Sequence, residues 1–360
     1  MTNTPHIIWL DDPNASRNPL LGGKFSSLAE SISSGLPVPR GFGITTSAYR
    51  EFMADAGLEA EARRIRKTCA SLPPEKMGAE TARLLEAIAT SPLPATLEQS
   101  VREAYAELER RTGVEGVPVA VRSSGESEDL AGASFAGQYE TFLWISGIEA
   151  VLENMRKCWA GMFGDAVLSY KHEGESVISK GDFAICVGIQ QMVQARCAGV
   201  MFTLDPITGD RSKISIESCW GLGEGVVKGD VTPSQFLVDK VTMEILKRKI
   251  SSQDEEYRFD NQLGTVGLFP VEEERREIPC LSDADTLALA RLAKGIETDR
   301  GVPQDIEWAI GTDGEIAVLQ VRPETVWSGK TAKPILKVSS PIDHVLMRMS
   351  GGGAGPGSGR

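Results

Sequence analysis

The stretch from Val117 to Ile145 carries the densest set of groups that could hold a polyphosphate. It combines Arg122 with three glycines and five serine or threonine hydroxyls, between two runs of strand-like residues. Glycine lets a ligand approach the backbone closely, and a guanidinium matches the geometry of a phosphate. The same stretch contains Glu126, Glu128 and Asp129, so an acidic surface loop is the open alternative.

A second candidate anion site stands at the start of a predicted helix over residues 20–35. Gly22, Gly23 and Lys24 precede an apolar face, and Gly35 is a typical helix stop. Free N–H groups at a helix start and a flexible ammonium favour an anion. A plain glycine turn followed by a solvated lysine explains the same residues.

A third candidate site lies on a predicted hairpin over residues 304–324, which turns at Asp313 and Gly314. Strand alternation places Glu307 on one face of the first strand. Gln320 and Arg322 share a face of the second strand, and pairing of the strands brings that face near Glu307. A carboxylate, an amide oxygen and a guanidinium would suit Mg²⁺ bridging phosphates. An exposed face with a cross-strand ion pair is the alternative.

The elements that must position these groups mix helices and strands without a βαβ repeat. Three helices are predicted over residues 58–70, 79–89 and 95–111, and they read as a helical subdomain. The runs 183–195 and 197–205 are expected to pair as a hairpin within a mixed sheet. The pattern predicts an α+β fold and disfavours a doubly wound one.

Composition narrows the class of protein further. The chain has 360 residues and a net charge of -12, which argues against nucleic-acid binding. No apolar run is long enough to cross a membrane and the first residues lack a signal-peptide pattern, so a cytoplasmic protein is expected. The six cysteines include no CxxC pair, which makes a zinc or iron–sulfur site unexpected.

Eight segments together resemble the ATP-binding domain of the phosphoenolpyruvate synthase and pyruvate phosphate dikinase family. Each is only moderately specific, but their number and order make the resemblance specific, and they cover nearly the whole chain. They are LGGKFSSLAE, LPVPRGFGITTSAY, AVRSSGESEDL, SFAGQYETFL, QQMVQARCAGVMFTLDP, ESCWGLGEGVVKGDVTPSQFLVD, DIEWAI and LQVRPET.

The resemblance implies an ATP-grasp fold, in which two lobes close over ATP. The expected N-terminal lobe spans residues 1–190, with the helical subdomain at 58–111 inserted in it. The expected C-terminal lobe spans residues 191–327. Residues 328–360 are expected to form a flexible linker or tail.

The resemblance also implies roles for individual residues, with ATP and Mg²⁺ as the ligands. Three cationic side chains are expected to be catalytic by contacting phosphates, two oxygen donors to bind the metal, and seven further residues to bind nucleotide. They are Lys24, Arg122 and Arg322 for the phosphates; Glu307 and Gln320 for the metal; Gly137, Gln138 and Thr141 for a loop covering the phosphates; Gln191, Met192 and Val193 for adenine; and Glu217 in a further nucleotide-site motif.

The sequence departs from the family at the phosphoryl acceptor. Full-length members carry a histidine in a Gly-Gly-x-Thr/Ser-x-His setting, and none of His6, His172 and His344 has it. In size and content the chain is similar to the ATP-binding beta subunit of phenylphosphate synthase. We therefore expect the ATP-binding half of a split dikinase-type phosphotransferase, whose larger partner subunit carries the phosphohistidine and the acceptor site. Phenol or a related phenolic is the expected final acceptor, with AMP and phosphate as the other products.

Three alternative functions stay open at the level of the sequence. The same half could act for pyruvate, as in phosphoenolpyruvate synthase, or for an antibiotic hydroxyl. A non-catalytic nucleotide-sensing module would use the same binding residues without chemistry. A self-sufficient kinase or ligase would need no second protein.

Overall fold

Two large antiparallel sheets of five and six strands, two small two-stranded sheets and flanking helices make up the part of the protein that the computed structural model describes, which is residues 4–125, 141–169, 171–172, 175–176 and 183–327. The two large ones are called the first and second sheets. Both sheets belong to one compact unit, which ends at Glu324. The predicted α+β class is confirmed. The predicted tail, residues 328–360, lies outside the described residues.

The strands have the following bounds: β1 Ile7–Trp9, β2 Gly41–Ile44, β3 Val119–Gly125, β4 Thr141–Ile145, β5 Lys171–His172, β6 Glu175–Ser176, β7 Ile185–Gln191, β8 Ala195–Phe202, β9 Lys213–Trp220, β10 Ser234–Asp239, β11 Ile245–Lys249, β12 Glu255–Asp260, β13 Thr265–Pro270, β14 Gln304–Gly311 and β15 Ile316–Pro323. The two small sheets are β5-β6 and β12-β13. The helices are α1 Gly22–Ser33, α2 Thr46–Asp55, α3 Glu59–Cys69, α4 Pro74–Thr90, α5 Ala95–Thr112, α6 Ile148–Gly161, α7 Asp165–Ser169, α8 Glu224–Lys228, α9 Glu273–Arg276 and α10 Asp283–Arg300.

The first sheet has the strand order β1-β2-β7-β3-β4. One of its faces carries Phe42, Val121 and Ile189, which are fully buried in a core shared with α2 to α6. The opposite face carries Arg122 beside Gly188 of β7 and Thr141 of β4. Strand alternation therefore separates the face that packs on α2 to α6 from the face that carries Arg122.

The second sheet has the order β11-β10-β9-β8-β14-β15. Its core face carries Ile216, Met201 and Ile306, which pair across β9, β8 and β14 and pack with α10. Ser282 is the N-cap of α10 and forms a capping box with Asp285. The packed helix fixes which way the alternate residues of these strands face.

The structure contradicts the predicted pairing of residues 183–195 with residues 197–205. Strand β7 pairs with β2 and β3 in the first sheet, whereas β8 pairs with β9 and β14 in the second. All named strand pairs are antiparallel, so the predicted mixed sheet is also wrong. Residues 192–194, here called the connecting segment, pass between the sheets.

Helix α1 packs on the face of the first sheet that carries Arg122, and it also contacts the second sheet. Its Phe25 ring lies over Gly188, where an added Cβ would overlap the ring atoms. Its Ser27 hydroxyl donates to the carbonyl of Val321 on β15 at 2.7 Å. Because β15 is an edge strand, this bond satisfies a carbonyl that no neighbouring strand reaches.

Replacing Gly188 with alanine is expected to destabilise the fold by about 1–3 kcal/mol, because the new methyl group displaces the buried Phe25 ring. Urea denaturation followed by circular dichroism measures this change. Gly295 is the matched control, since it lies exposed inside α10 with no atom near an added Cβ. Gly295→Ala should stabilise by about 0.5–1 kcal/mol. Equal effects at both positions would contradict the prediction.

Candidate active site

Arg122 joins the two sheets through its guanidinium. Its Nη1 donates to the carbonyl of Leu319 at 2.8 Å and to Oε1 of Gln190 at 3.3 Å. Its Nη2 donates to Oε1 of Gln320 at 2.8 Å and to Oε2 of Glu307 at 3.2 Å. The side chain is 12% exposed. Arg122, which was predicted to bind phosphate, is thus hydrogen-bonded to Glu307 and Gln320, the two residues predicted to bind the metal.

Glu307 and Gln320 face each other directly across the β14–β15 pair. Next to the turn the register differs by one residue, with Trp308 opposite Val318, and a β-bulge between Glu307 and Trp308 shifts it so that Glu307 lies opposite Gln320. Gln320 is 4% exposed, and its amide oxygen points toward the Arg122 cation. The hairpin prediction is confirmed in its pairing, and it brings the two oxygen donors together as expected.

Arg322 lies opposite Asp305, and the two are each two residues along their strands from the Glu307–Gln320 pair. Its Nε and Nη2 both donate to Oδ2 of Asp305, at 2.8 and 2.7 Å. Burial raises the pKa of Asp305 above its ordinary value, and the neighbouring Arg322 acts in the opposite direction. Asp305 is therefore a buried acid whose charged form depends on a guanidinium.

Lys24 lies in the first turn of α1 and is half-buried. The helix begins at Gly22, where an added Cβ would meet Ser124 Oγ at 2.6 Å. The start of α1 is therefore packed against β3 just past Arg122. The structure places the predicted lysine and arginine on neighbouring elements at the same end of the first sheet.

Thr141 is the first residue of β4, directly opposite Arg122 on β3. It is half-buried, and its side chain shares the face of Arg122. The other members of the predicted covering loop, Gly137 and Gln138, lie outside the described residues. Of the three residues predicted to form that loop, Thr141 is therefore the one whose position relative to Arg122 the structure describes.

Residues 191–193, which were predicted to bind adenine, lie at the end of β7, where the chain leaves the first sheet. The N–H of Gln191 donates to the carbonyl of Arg40 at 2.8 Å, and that of Met192 to the carbonyl of Pro118 at 2.9 Å. Both backbone donors are therefore committed to the fold. Val193 follows in the connecting segment and is half-buried. Contacts to adenine from residues 191–193 must come from the remaining groups, so their role stays a prediction.

Glu217 occupies the same face of the second sheet as Glu307. Val200 of β8 pairs with Glu307 on one side and with Glu217 on the other, so the backbones of the two glutamates lie two strand spacings, about 10 Å, apart. Gln235 donates to Oε1 of Glu217 at 3.0 Å. Glu217 therefore lies apart from the Arg122 cluster but faces the same side of the sheet.

Two residues in the cluster had no role assigned from the sequence. Asp305 precedes Glu307 by two residues, and strand alternation places it on the same face as Glu307, but the sequence analysis gave it no function. Gln190 is 2% exposed, and its Nε2 has no hydrogen-bond acceptor among the described residues. Nothing in the sequence distinguishes Gln190 from any other strand glutamine.

The donor set of Glu307 and Gln320 fits Mg²⁺. Both are hard oxygen ligands, and both already face one positively charged group, the Arg122 guanidinium. Mg²⁺ usually takes only one or two protein ligands and completes its shell with phosphates and water. In the part of the chain that the structure describes, no group of three or more His, Cys, Asp or Glu residues is arranged to hold a metal.

Arg122 thus bonds to the Glu307–Gln320 oxygen pair, while Lys24 and Arg322 lie on the neighbouring elements α1 and β15, an arrangement that would suit a ligand with phosphates. Sequence comparison agrees. Residues 18–341 match the family described as "Pyruvate phosphate dikinase, AMP/ATP-binding domain", and the chain belongs to that family. This result confirms the resemblance found from the motifs.

The chain is similar to parts of longer curated proteins. It is 38% identical to a phosphoenolpyruvate synthase from Aeropyrum pernix, over 98% of this chain and 47% of that protein. It is 38% identical to the prodigiosin synthesizing transferase PigC from Serratia marcescens, over 88% of this chain and 32% of that protein. The chain thus spans less than half the length of each of these relatives.

Solved structures give a weaker likeness. An ATP-grasp ligase, PsnB, bound to a precursor peptide and AMPPNP aligns with 95% of this chain and 62% of its own, at 13% identity and a TM-score of 0.29. D-alanyl-alanine synthetase A from Vibrio cholerae aligns with 68% and 54%, at 10% identity and a TM-score of 0.26. The ATP-grasp class of PsnB is the one predicted from the sequence, but scores this low carry no argument.

Among the described helices, none has both the length and the apolar character needed to cross a membrane.

Proposed function

We propose that this chain is the nucleotide-binding half of a dikinase-type phosphotransferase, which binds Mg-ATP between the two sheets. The convergence of Arg122 from one sheet with Glu307 and Gln320 from the other carries the proposal. A phosphate-binding cation and two hard oxygen ligands at one point are what a metal–polyphosphate complex requires.

Each residue of the site has a positioning task in this reaction. Lys24 and Arg122 hold phosphate oxygens from α1 and β3, while Arg322 binds the terminal phosphate from β15. Glu307 and Gln320 would hold Mg²⁺, which neutralises phosphate charge when bound. The connecting segment and the end of β7 would receive adenine. Positioning and electrostatic stabilisation supply most of the catalysis in phosphoryl transfer, so no nucleophile is needed in this cleft.

The phosphoryl acceptor in this proposal is a histidine on a larger partner subunit. Its imidazole nitrogen attacks the β-phosphorus of ATP, the bond to the α-phosphate oxygen breaks, and AMP leaves. Water then releases the terminal phosphate, and the remaining phosphoryl group passes to the final acceptor. Of this chain's histidines, His6 has both ring nitrogens engaged, by Ser100 at 3.1 Å and by Glu51 at 2.7 Å.

Phenol or a related phenolic is the proposed final acceptor, on the resemblance to the phenylphosphate synthase subunit noted from the sequence. Pyruvate is the second candidate, because the relative that matches 98% of this chain is named a phosphoenolpyruvate synthase. The acceptor site lies on the partner in either case. The two acceptors differ only in the last transfer and leave the role of this chain unchanged.

Position-specific labelling of ATP tests the proposal. The purified chain is mixed with a protein that carries the Gly-Gly-x-Thr/Ser-x-His motif, and with ATP labelled at the β- or the γ-phosphate. We expect β-label to stay on a histidine of the second protein while γ-label is released as phosphate, with AMP as the nucleotide product. Adding phenol or pyruvate should then remove the β-label from the histidine.

Three results would contradict the proposal. Formation of ADP instead of AMP would indicate an ordinary kinase. ATP consumption with a small acceptor and no second protein would indicate a self-sufficient enzyme. Tight Mg-ATP binding by calorimetry, with no labelled histidine on any motif-bearing partner, would favour a nucleotide-sensing module.

A further inference from the structure

The Arg122 guanidinium lies on the oxygen atoms that are proposed to bind the metal. Its Nη2 contacts Oε1 of Gln320 and Oε2 of Glu307 at 2.8 and 3.2 Å. Mg²⁺ would need those oxygens at about 2.0–2.1 Å. A divalent cation and the guanidinium cannot share one position, and their charges repel each other strongly at such a distance.

We propose that Arg122 is a built-in occupant of the metal site that exchanges with the metal when nucleotide binds. The inference rests on the proposed function and adds an order of binding, in which nucleotide binds before the metal. Without nucleotide, the guanidinium neutralises Glu307 and keeps the metal out. The phosphates of the nucleotide draw Arg122 away, and the freed oxygen pair then accepts the cation.

The contacts of Arg122 explain why a free metal ion does not displace it. The same guanidinium also donates to the Leu319 carbonyl at 2.8 Å, and Leu319 lies on the edge strand β15. Displacement by a metal alone would break the bonds to both sheets at once and leave the guanidinium without a new acceptor. With 12% of the side chain exposed, water is a poor substitute for these acceptors.

A polyphosphate supplies what the metal alone does not. A guanidinium binds phosphate through two parallel hydrogen bonds, which compensate for those lost to Leu319 and Gln320. The start of α1, with Lys24, lies beside β3 at this end of the sheet. A phosphate bound there would lie on the same side of the first sheet as Arg122. Nucleotide and metal are therefore expected to bind cooperatively, with nucleotide first.

Titration with Mn²⁺, followed by the electron paramagnetic resonance signal of the free ion, tests this exchange without requiring turnover. The wild-type chain should bind Mn²⁺ weakly alone and tightly with AMP-PNP. Arg122→Met should bind Mn²⁺ without nucleotide roughly tenfold more tightly than the wild-type chain, because the competing charge is gone. Arg122→Met with Glu307→Gln should lose that gain. Arg102→Met, which removes a guanidinium from a surface ion pair with Glu98 and Glu149, should match the wild type.

The outcomes separate this inference from the proposed function. If wild-type and Arg122→Met chains bind Mn²⁺ equally well without nucleotide, the exchange is wrong, while tight Mn²⁺–AMP-PNP binding would leave the proposed function standing. If the wild-type chain binds neither Mn²⁺ nor AMP-PNP, the proposed function itself fails. Arg122→Gln gives the same comparison if Arg122→Met does not fold, because it is neutral but still able to donate a hydrogen bond to Gln320.

Discussion

Glu307→Gln is expected to lower the rate of phosphoryl transfer to the partner histidine by about 10²–10³-fold, the usual effect of removing one preorganised electrostatic group from an active site. The substitution keeps the shape of the side chain and an oxygen that can accept from Arg122, at present 3.2 Å away. It removes the negative charge that the metal requires. Single-turnover labelling of the histidine, repeated over a range of Mg²⁺ concentrations, measures both the rate and the metal requirement.

A matched control distinguishes loss of metal binding from loss of charge on the protein. Glu149→Gln also neutralises a carboxylate paired with an arginine, but the Glu149 side chain is 77% exposed and lies away from the site. It should leave both the rate and the Mg²⁺ requirement unchanged. If Glu307→Gln changed neither the transfer rate nor the Mg²⁺ dependence, Glu307 would not be a metal ligand.

The oxygen pair shows what local sequence determines. The Asp-Gly turn and strand alternation predict that Glu307 lies near Gln320, and the two residues do pair, but the observed register reaches this pairing through a β-bulge that the sequence pattern did not predict. Arg322 was expected near Glu307, but its bonds are to Asp305. Residues two apart on a strand point to the same side of the sheet yet lie about 6.6 Å apart. Knowing that Arg322 shares a face with Glu307 and Asp305 therefore does not determine which of the two it binds.

The division into two sheets could not be predicted from strand patterns. Residues 183–195 and 197–205 are adjacent apolar runs, which favours a hairpin. They pair instead with other strands in separate sheets: β7 pairs with β2 and β3, and β8 with β9 and β14. Gly188 gives a physical reason, because Phe25 of α1 occupies the space above it and fixes α1 on β7. Such packing depends on contacts far apart in the chain.

The bridging role of Arg122 was also beyond the sequence. Its expected role in phosphate binding follows from the glycine- and hydroxyl-rich setting, but its four hydrogen bonds reach residues 68 to 198 positions away. Gln190 has no signal in the sequence at all, and its burial beside Arg122 arises only when the sheets meet. The contacts by which Arg122 joins the two sheets therefore could not be predicted from the sequence.

Arg322→Met is expected to lower phosphoryl transfer by about 10²–10³-fold and also to destabilise the protein. The activity falls because the terminal phosphate loses its guanidinium. The stability falls because Asp305, with a side chain 12% exposed, loses both of its charge-assisted bonds. With Arg322 itself 38% exposed, solvent screening limits the cost to about 1–2 kcal/mol. Histidine labelling and urea denaturation measure the two effects separately.

The pH dependence of the stability loss identifies its cause. Burial raises the pKa of folded Asp305 above the ordinary 3.8, and removing Arg322 raises that pKa further. When the pKa of an acid is higher in the folded than in the unfolded protein, the folded state holds the acid's proton over the pH range between the two pKa values. The free energy of unfolding therefore falls as pH rises through that range. The destabilisation by Arg322→Met should therefore be largest near neutral pH. It should shrink toward pH 3.8 and below, where Asp305 is protonated in both states.

The double variant Arg322→Met with Asp305→Asn separates the two roles of Arg322. Removing the buried carboxylate together with its partner should recover most of the lost stability and remove the pH dependence of the difference. Phosphoryl transfer should stay low, because the phosphate still lacks its guanidinium. If the double variant recovered both stability and transfer, Arg322 would act only by holding Asp305 in the fold. Recovery of stability alone would support Arg322 as a residue that contacts the nucleotide.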